Sequence, residues 1–341
     1  MPYAPLRNLR ILVVRFSSIG DILLVTPLLR ALRKRHPECH LTVLTKRAFR
    51  PLLSDNPRVD RVLELSEERS LRSLAREVRH TKYTHKLDLH GNLRTRLLRT
   101  LAPGNWFGYS KRRVARTALI RFKRDWYPIG TPPTAERFFE AARALDVTAD
   151  GEPAEFCLST DARRYADRWL ATHGIGTERP MVAVAPRTAH ETKCWPMAHW
   201  LTLVQDLAAS GVDSVVVGGA EEAAACQIVA EAGGSRSISV AGIFGLQRAG
   251  AVIVRAQALI SGDTGAMHMG TALGTPVVAL FGPTVRQFGF FPYEAPAVVL
   301  EQSLPCRPCS KMGGARCPLG HHRCLRDIAP GEVRSALDQW L

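Results

Sequence analysis

The sequence lacks any long hydrophobic run, although 46% of its 341 residues are hydrophobic. A helix that crosses a bilayer needs about 20 consecutive apolar residues, and no stretch approaches that length. The amino terminus does not have the pattern of a secretory signal peptide, because Arg15 interrupts the apolar run after residues 11–14. We therefore expect a cytoplasmic globular protein, long enough for two domains of ordinary size.

Acidic residues are scarce in one part of the chain. Residues 69–124 contain 16 Lys and Arg, but Glu77 and Asp88 are the only acids among them. Residues 1–170 hold 33 Lys and Arg against 18 acids, so they carry the whole net charge of +15. Such a basic surface attracts an anionic partner, which could be nucleic acid, an acidic membrane surface or a phosphorylated substrate. A solubilising surface in an arginine-rich proteome is the alternative interpretation.

Cysteines number eight, and four of them are scattered. The other four lie together in a segment of residues 306–324 as Cys306, Cys309, Cys317 and Cys324. Without an export signal, a disulfide framework is not expected. Four sulfurs suffice for a structural zinc or iron site, but the spacing is not that of a standard zinc finger. Two interpretations therefore stay open: a structural metal site, or thiols that pack a loop or form a disulfide.

No GxGxxG pattern is present, which argues against a dinucleotide-dependent redox fold. Short apolar runs alternate with segments of helical period along the chain, which is typical of parallel sheets with crossover helices. We predict an α/β protein of two doubly wound Rossmann-like domains, residues 1–170 and residues 171–341, that face each other across a cleft. The second domain would include the Cys-rich segment 306–324 and a terminal helix from Pro330.

A tight turn after the first predicted strand places Asp21 at the start of a helix. Ligands of parallel sheets bind beyond the carboxyl ends of the strands, so this carboxylate is the cap of its helix, a base, or both. The helix contains Pro27, which would kink it, or Thr26 and Pro27 would begin a second helix.

Polar and glycine residues also follow the predicted strands of the second half. They are Thr188, Thr192 and Lys193; Gly218 and Gly219; and Asp263, Thr264, Gly265 and His268. The N–H groups at a helix start and a lysine ammonium suit a departing diphosphate. An ordinary N-cap at Asp263 or Thr264 is the alternative. The pattern indicates transfer of a glycosyl group from a nucleotide diphosphate, with inversion if one carboxylate is the base.

The motifs SSIGDILLVTPLLRALR, APRTAHETKCWP and ISGDTGAMHMGTALGTPVVALFGPT together resemble glycosyltransferase family 9, the ADP-heptose:lipopolysaccharide heptosyltransferases. The resemblance runs in order from about residue 9 to residue 330. It implies a GT-B fold and an inverting glycosyltransferase that needs no cofactor or catalytic metal. It implies ADP-L-glycero-D-manno-heptose as the donor and the inner core of lipopolysaccharide as the acceptor. That acceptor would be Kdo-lipid A or a heptosylated precursor, reached by a peripheral protein at the anionic inner face of the inner membrane.

The resemblance also implies roles for individual residues. It places the catalytic base on Asp21 and the phosphate-binding lysine on Lys193. The family often has two adjacent hydroxyls before that lysine, but the second position is Ala189 here, so either one contact is lost or Thr192 substitutes for it. Phe244 falls where the family places an apolar residue against adenine.

The full set of predicted binding residues has two parts. The donor would contact Thr188, Thr192, Lys193, Gly218, Gly219, Phe244, Asp263, Thr264, Gly265 and His268. The acceptor would contact Ser18, Gly20, His90, Arg94, Arg96 and Lys111.

Two other functions compete with this one. A nucleic-acid-binding protein would use the basic segment with its interleaved aromatic residues, but it leaves Lys193 and Asp263 without a role, so no nucleic-acid partner is expected. A sugar-nucleotide epimerase of the same architecture would use UDP-sugars and no lipid acceptor.

Overall fold

The computed structural model of the protein describes residues 8–176 and 178–341. These residues form two compact units. Unit 1 contains the chain up to Lys111 together with Thr134–Cys157, and unit 2 contains Arg112–Pro133 together with Leu158–Leu341. The domain limits expected from the sequence, residues 1–170 and 171–341, stay a prediction.

Strands and helices alternate along the described residues, and they are numbered here in chain order. The strands are β1 (Arg10–Val14), β2 (His40–Lys46), β3 (Arg61–Leu65), β4 (His85–Asp88), β5 (Trp106–Gly108), β6 (Met181–Ala185), β7 (Asp213–Val216), β8 (Ser237–Ser239), β9 (Ala258–Gly262), β10 (Val277–Phe281) and β11 (Ala297–Glu301). The helices are α1 (Ile19–Leu23), α2 (Thr26–Arg35), α3 (Leu71–His80), α4 (Leu93–Leu101), α5 (Arg113–Phe122), α6 (Thr134–Arg137), α7 (Thr160–Thr172), α8 (Met197–Ala209), α9 (Ala223–Ala232), α10 (Leu246–Ile253), α11 (Gly265–Leu273), α12 (Arg323–Arg326) and α13 (Pro330–Leu337). Short 3₁₀ helices lie at Arg47–Leu52, Phe138–Leu145, Glu191–Lys193, Ala220–Glu222, Gly234–Arg236 and Arg286–Phe288.

Unit 1 is built on a five-stranded sheet with the order β3-β2-β1-β4-β5, and every pair of neighbouring strands is parallel. The central strand β1 buries Leu12 and Val14 in a core with Phe16 and Leu44. A strand covered on both faces reads as a continuous apolar run, which is why β1 was predictable. The edge strand β5 has only three residues and is not apparent from the sequence.

Unit 2 is built on a six-stranded parallel sheet with the order β11-β10-β9-β6-β7-β8. Strands β6, β9 and β10 are buried along their whole length, and the core beside them includes Trp200 and Val184. The edge strand β11 was not expected, although four of its five residues, AVVLE, are apolar; they are only partly buried. Among the described residues, no helix has both the length and the hydropathy needed to cross a membrane.

The helical segment after Asp21 is interrupted, as one of the two sequence interpretations required. Helix α1 ends at Leu23 and α2 begins at Thr26, with Pro27 in its first turn. Thr26 is not the N-cap, because that position is Val25. The Thr26 hydroxyl instead donates to Leu23 O at 2.6 Å and accepts from the N–H of Glu155 at 2.7 Å. The Thr26 hydroxyl therefore connects the interruption between α1 and α2 to the segment that contains Glu155.

The arginine Arg30 on α2 is buried and fixes the segment that contains Asp150 and Glu155. Its guanidinium donates two hydrogen bonds to the Asp150 carboxylate, at 2.7 and 2.8 Å, and lies 3.1 Å from Glu155. The hydrogen bond from Arg30 holds the pKa of Asp150 well below its ordinary range, against the opposing effect of burial. Asp150 is therefore ionised in the folded protein through the whole neutral and mildly acidic range.

We expect Arg30→Met to lower the free energy of unfolding by about 1–3 kcal/mol, because the charge-assisted hydrogen bonds of a buried guanidinium to two carboxylates are lost. Urea denaturation followed by circular dichroism at neutral pH measures the loss. The depressed pKa of Asp150 stabilises the fold above the unfolded-state value of about 4 and this contribution is lost as the pH falls. The difference between wild type and variant should therefore shrink in acid.

The control is Lys34→Met, because Lys34 also contacts Asp150, at 2.8 Å, but is mostly exposed. It should cost less than about 1 kcal/mol. Equal losses of stability in the two variants would mean that the buried guanidinium of Arg30 contributes no more than the exposed ammonium of Lys34.

Candidate active site

The carboxylate of Asp21 lies in the turn that joins β1 to α1. Ser18 is the N-cap of α1 with extended backbone, and Asp21 is the third helical residue. The N–H and the hydroxyl of Ser18 both donate to Asp21 Oδ2, at 3.2 and 3.1 Å. Asp21 therefore takes part in the capping of α1, and Ser18 and Gly20, two of the predicted acceptor residues, lie in the same turn.

A buried arginine holds the other oxygen of Asp21. Arg15 Nη2 lies 2.5 Å from Asp21 Oδ1, and Arg15 Nε donates to Ser17 O at 2.9 Å. The same guanidinium donates to Leu89 O and to the Tyr109 hydroxyl. From the sequence alone, Arg15 was interpreted only as an interruption of an apolar run. A charged residue directly after four buried strand residues was nevertheless a signal that a carboxylate would lie beside it.

Two opposing effects act on the pKa of Asp21. Burial raises it, but the positive charge of Arg15 and the hydrogen bonds from Arg15 and Ser18 lower it more, so the pKa lies below its ordinary value. The carboxylate is therefore ionised and fixed in orientation at neutral pH.

The loop after β4 carries His90, and three other residues shape it. Asp88 Oδ1 accepts hydrogen bonds from the N–H groups of His90 and Gly91, at 3.0 and 2.8 Å. Lys111 Nζ donates to His90 O. Burial, followed by the charges of Arg15 and Lys111, lowers the pKa of His90 to about 4. The imidazole is neutral at physiological pH, so it can both donate and accept a hydrogen bond.

The other predicted acceptor residues lie on α4. Arg94 and Arg96 are exposed in the first turns of this helix. The N-cap Asn92 and Thr95 exchange reciprocal hydrogen bonds that fix the helix start. The structure thus groups Ser18 and Gly20 with Asp21, and His90 with Lys111, whereas the two arginines present their charge to solvent.

In unit 2, Lys193 and Asp263 form a nearly buried ion pair. Lys193 Nζ lies 2.6 Å from Asp263 Oδ2, with side-chain exposures of 12% and 9%. The hydroxyl of Thr284, directly beyond β10, donates to the same carboxylate at 2.7 Å. Gly262 permits the approach of the lysine segment, because a Cβ there would lie 3.1 Å from Lys193 O. Thr284 was quoted within a motif but was not predicted as a site residue.

The N-terminus of α11 follows Asp263 directly. Thr264 is its N-cap, since its hydroxyl accepts from the N–H of Ala266 at 3.1 Å. Of the two candidate caps, Thr264 therefore has this role and Asp263 binds Lys193 instead. Gly265 is the first helical residue, and His268 is buried one turn on, with its ring 6.5 Å from that of Phe290.

The predicted hydroxyls of the donor loop have partners within the protein. Thr188 Oγ1 donates to His190 O at 2.8 Å and accepts from the N–H of His190. The Thr192 hydroxyl is buried and accepts from the N–H of Gly314 at 2.8 Å. This contact anchors the Cys-rich segment, so substitution of Thr192 for a phosphate-binding hydroxyl stays a prediction.

The remaining predicted donor residues follow β7 and precede α10. Gly218 packs tightly, because a Cβ there would lie 2.8 Å from Cys226 Sγ. Gly219 donates its N–H to Glu222 Oε2 at 2.8 Å. The ring of Phe244 is buried and makes edge contacts with the aromatic rings of Tyr165 and Trp169 at 5.6 and 5.1 Å. Contact between Phe244 and adenine stays a prediction.

The four clustered cysteines are free thiols. Burial, and then the neighbouring sulfurs, raises the pKa of Cys324 to about 11 and also raises that of Cys309. Within residues 8–176 and 178–341, no three His, Cys, Asp or Glu side chains are grouped to hold a metal ion. The structural zinc or iron site therefore lacks support, and of the two interpretations the packed thiols agree with the structure.

Comparisons with known proteins agree with this fold. A family model described as glycosyltransferase family 9 (heptosyltransferase) matches residues 71–318. The chain is 26% identical to lipopolysaccharide heptosyltransferase 2 of Escherichia coli strain K12, covering 98% of this chain and 99% of that relative. It is 27% identical to lipopolysaccharide heptosyltransferase 1 of Pseudomonas aeruginosa, covering 94% and 91%. The structure of ADP-heptose lps heptosyltransferase II from E. coli matches with a TM-score of 0.75 at 25% identity, over 97% and 98% of the two chains.

These matches confirm the predicted α/β fold, whose two parallel sheets correspond to those of a GT-B heptosyltransferase structure. The protein is a glycosyltransferase. The family model covers well over half of the chain, so the chain belongs to glycosyltransferase family 9.

We expect Arg15→Gln to raise the pKa of Asp21, because burial remains while the compensating charge is removed. A ¹³C NMR titration of labelled aspartate carboxyls measures the shift, with the signal assigned by its absence in Asp21→Asn. Arg15→Lys should give a smaller rise, and it tests the effect if Arg15→Gln does not fold.

The matched control is Arg10→Gln, at the exposed start of the same strand. It should leave the pKa of Asp21 unchanged. An unchanged titration in both Arg15 variants would mean that Arg15 does not control the protonation of Asp21.

We expect Thr284→Val to lower the free energy of unfolding by about 1–3 kcal/mol, because the buried Asp263 carboxylate loses a donor that valine cannot replace. Thr284→Ser keeps the hydroxyl and should stay near wild type. Chemical denaturation of the three proteins measures the difference. If Thr284→Ser lost stability while Thr284→Val stayed near wild type, the methyl group of Thr284 and not its hydrogen bond would be the stabilising group.

Proposed function

We propose that the protein is an inverting, metal-independent heptosyltransferase of lipopolysaccharide biosynthesis. Its donor is ADP-L-glycero-D-manno-heptose, and its acceptor is the inner core, either Kdo or the first heptose, at the cytoplasmic face of the inner membrane. The observation that carries the proposal is the ionised, doubly anchored carboxylate of Asp21 in a chain that aligns end to end with a lipopolysaccharide heptosyltransferase.

Asp21 is the base that accepts the proton of the attacking hydroxyl. Each carboxylate oxygen has two lone-pair sites. Oδ2 already accepts two hydrogen bonds from Ser18, so Oδ1 is the oxygen that keeps a site for the proton beside its contact with Arg15. A base with a depressed pKa is weak, so the proton moves late, when bond formation to the anomeric carbon has made the hydroxyl acidic. A single displacement by this hydroxyl inverts the anomeric centre, by analogy with inverting glycosidases.

Lys193 stabilises the departing ADP. An ammonium group has three N–H donors, and two of them are directed at Asp263, at 2.6 Å to the carboxylate and 3.4 Å to the carbonyl. The remaining donor is available for a diphosphate oxygen. The N–H groups at the start of α11 add a favourable dipole beside it. This fixed positive charge supplies the leaving-group stabilisation for which we assign no metal ion.

The acceptor binds through unit 1. His90 is neutral and half-buried, so it suits sugar hydroxyls, whereas the exposed Arg94 and Arg96 suit the carboxylates of Kdo and the phosphates of lipid A. Lys111 fixes the loop that carries His90 by donating a hydrogen bond to the carbonyl oxygen of His90. We assign the anionic inner-membrane surface as a second partner, bound by the basic segment of residues 69–124.

We expect Asp21→Asn to reduce heptose transfer by about 10²–10⁴-fold, because an amide cannot accept the proton. ADP binding should stay within a few-fold of wild type, since the carboxylate acts on the acceptor. The measurement is ADP release from ADP-heptose, with and without deacylated Kdo-lipid A or its heptosylated form, together with calorimetric titration of ADP.

The contrasting variant is Lys193→Ala, which should weaken ADP binding and also slow transfer. Loss of ADP affinity in Asp21→Asn but not in Lys193→Ala would reverse the two assignments. If the wild type released no ADP with any of these acceptors, the donor or acceptor would be a different one.

A further inference from the structure

Large hydrophobic side chains are exposed over a short part of unit 2. Val114, Phe122, Trp126 and Ile129 are all more than half exposed, and Ile129 is completely so. They lie on α5 and in the loop that follows it, within 16 residues of chain. Single exposed hydrophobics need no explanation, but four neighbours in sequence that include an exposed tryptophan indicate an interaction surface.

The same segment is strongly basic. Residues 112–133 contain six Lys and Arg, and Asp125 is their only acid. The Asp125 carboxylate accepts hydrogen bonds from the N–H of Tyr127 at 2.9 Å and from Gln287 Nε2 at 3.1 Å, so it is used within the fold. Arg121 and Arg124 are exposed beside Phe122 and Trp126.

The segment is a fixed part of unit 2. Helix α5 buries Ala115, Ala118 and Leu119 against the unit. At its end, Lys123 Nζ donates to Cys306 O at 3.0 Å and to Pro308 O at 2.6 Å. These contacts fix the position of the exposed hydrophobic side chains before any partner binds. Less conformational entropy is then lost on docking.

We propose that residues 112–130 dock on an anionic lipid bilayer, with Phe122, Trp126 and Ile129 inserted at the level of the headgroups. Apolar tips flanked by Lys and Arg, with a tryptophan among them, are the pattern of interfacial membrane binding. Each basic residue near such a surface adds to the attraction. The proposal deepens the proposed function, on which it rests for the location of the acceptor at a membrane.

Charge decides between a bilayer and a second copy of this chain. In a two-fold dimer the same surface contacts itself, so two segments would be brought together that each have six Lys and Arg against one acid in residues 112–133, a net charge of +5. An anionic bilayer offers the opposite charge and also an apolar layer for the exposed rings. We therefore assign the bilayer as the occupant of this surface.

The test is cosedimentation of the full-length protein with vesicles of phosphatidylcholine, alone or with about one third phosphatidylglycerol. We expect the wild type to bind the anionic vesicles, and to bind less as salt is added. The combined variant Phe122→Ser, Trp126→Ser and Ile129→Ser should bind about tenfold more weakly or worse. The control Ile228→Ser with Leu319→Ser removes two exposed hydrophobics elsewhere in unit 2 and should bind as the wild type does.

A triple variant that binds like the wild type, or equal binding of the wild type to neutral and anionic vesicles, would overturn the proposal. A shift of the wild type, but not of the triple variant, to a dimer in sedimentation velocity would assign the surface to self-association instead.

Vesicle binding is measured without any sugar substrate, so the two proposals fail separately. The triple variant should keep wild-type ADP release with a deacylated, water-soluble acceptor. Vesicle binding without heptose transfer would refute the proposed function alone. Transfer to the soluble acceptor without vesicle binding would refute the docking surface alone.

Discussion

Parallel strand direction is the constraint on which the candidate site depends. All strands of one sheet point the same way, so the residues that follow β1 and β4 in unit 1 emerge at a single edge. Arg15 and Asp21 follow β1, and Asp88 and His90 lie at the end of β4. In unit 2 the same rule brings Lys193, Asp263 and Thr284, which follow β6, β9 and β10, into one hydrogen-bonded group. The side chains of Lys193 and Asp263, 70 positions apart, thus meet because the sheet is parallel and not because the intervening chain is short.

The two units use the same arrangement with the roles of the charges exchanged. In unit 1 a carboxylate, Asp21, is the proposed reactive group, and the cation Arg15 with the hydroxyl of Ser18 fixes it. In unit 2 the cation Lys193 is the proposed reactive group. There the carboxylate of Asp263 holds it, and the hydroxyl of Thr284 holds that carboxylate.

Each pair is nearly buried, and removal of one member leaves the other as a poorly solvated charge. The residue that fixes the orientation of the reactive charge therefore also controls its protonation. Arg15 keeps Asp21 ionised but limits its strength as a base. The Arg15–Asp21 and Lys193–Asp263 pairs suit a reaction that depends on fixed charges at the acceptor and at the leaving group more than on a strong base.

Much of the fold and half of the site follow from sequence patterns. The buried strands were predictable because each is a short apolar run, and Asp21, Lys193 and Asp263 were predictable because they follow those runs. The partners Arg15 and Thr284 were not predicted, since a hydrogen bond between distant segments leaves no local pattern. The edge strands β5 and β11 were also missed. Strand β5 has only three residues, too few for a pattern, and the short apolar run of β11 was not recognised.

The positions of the basic residues in the fold differ from what counting charges along the sequence predicts. Counting along the chain assigned the basic excess to residues 1–170, and within it to residues 69–124. The fold divides that basic segment, because α4 with Arg94 and Arg96 belongs to unit 1 whereas α5 and its basic loop belong to unit 2. The two parts also differ in their surroundings. In the second, the exposed Phe122 and Trp126 lie among the arginines, and a neutral aromatic ring does not form an ion pair with a phosphate. Positive charge alone suits any anion, but charge combined with exposed apolar rings suits a surface that is anionic outside and apolar beneath, which is the structure of a membrane.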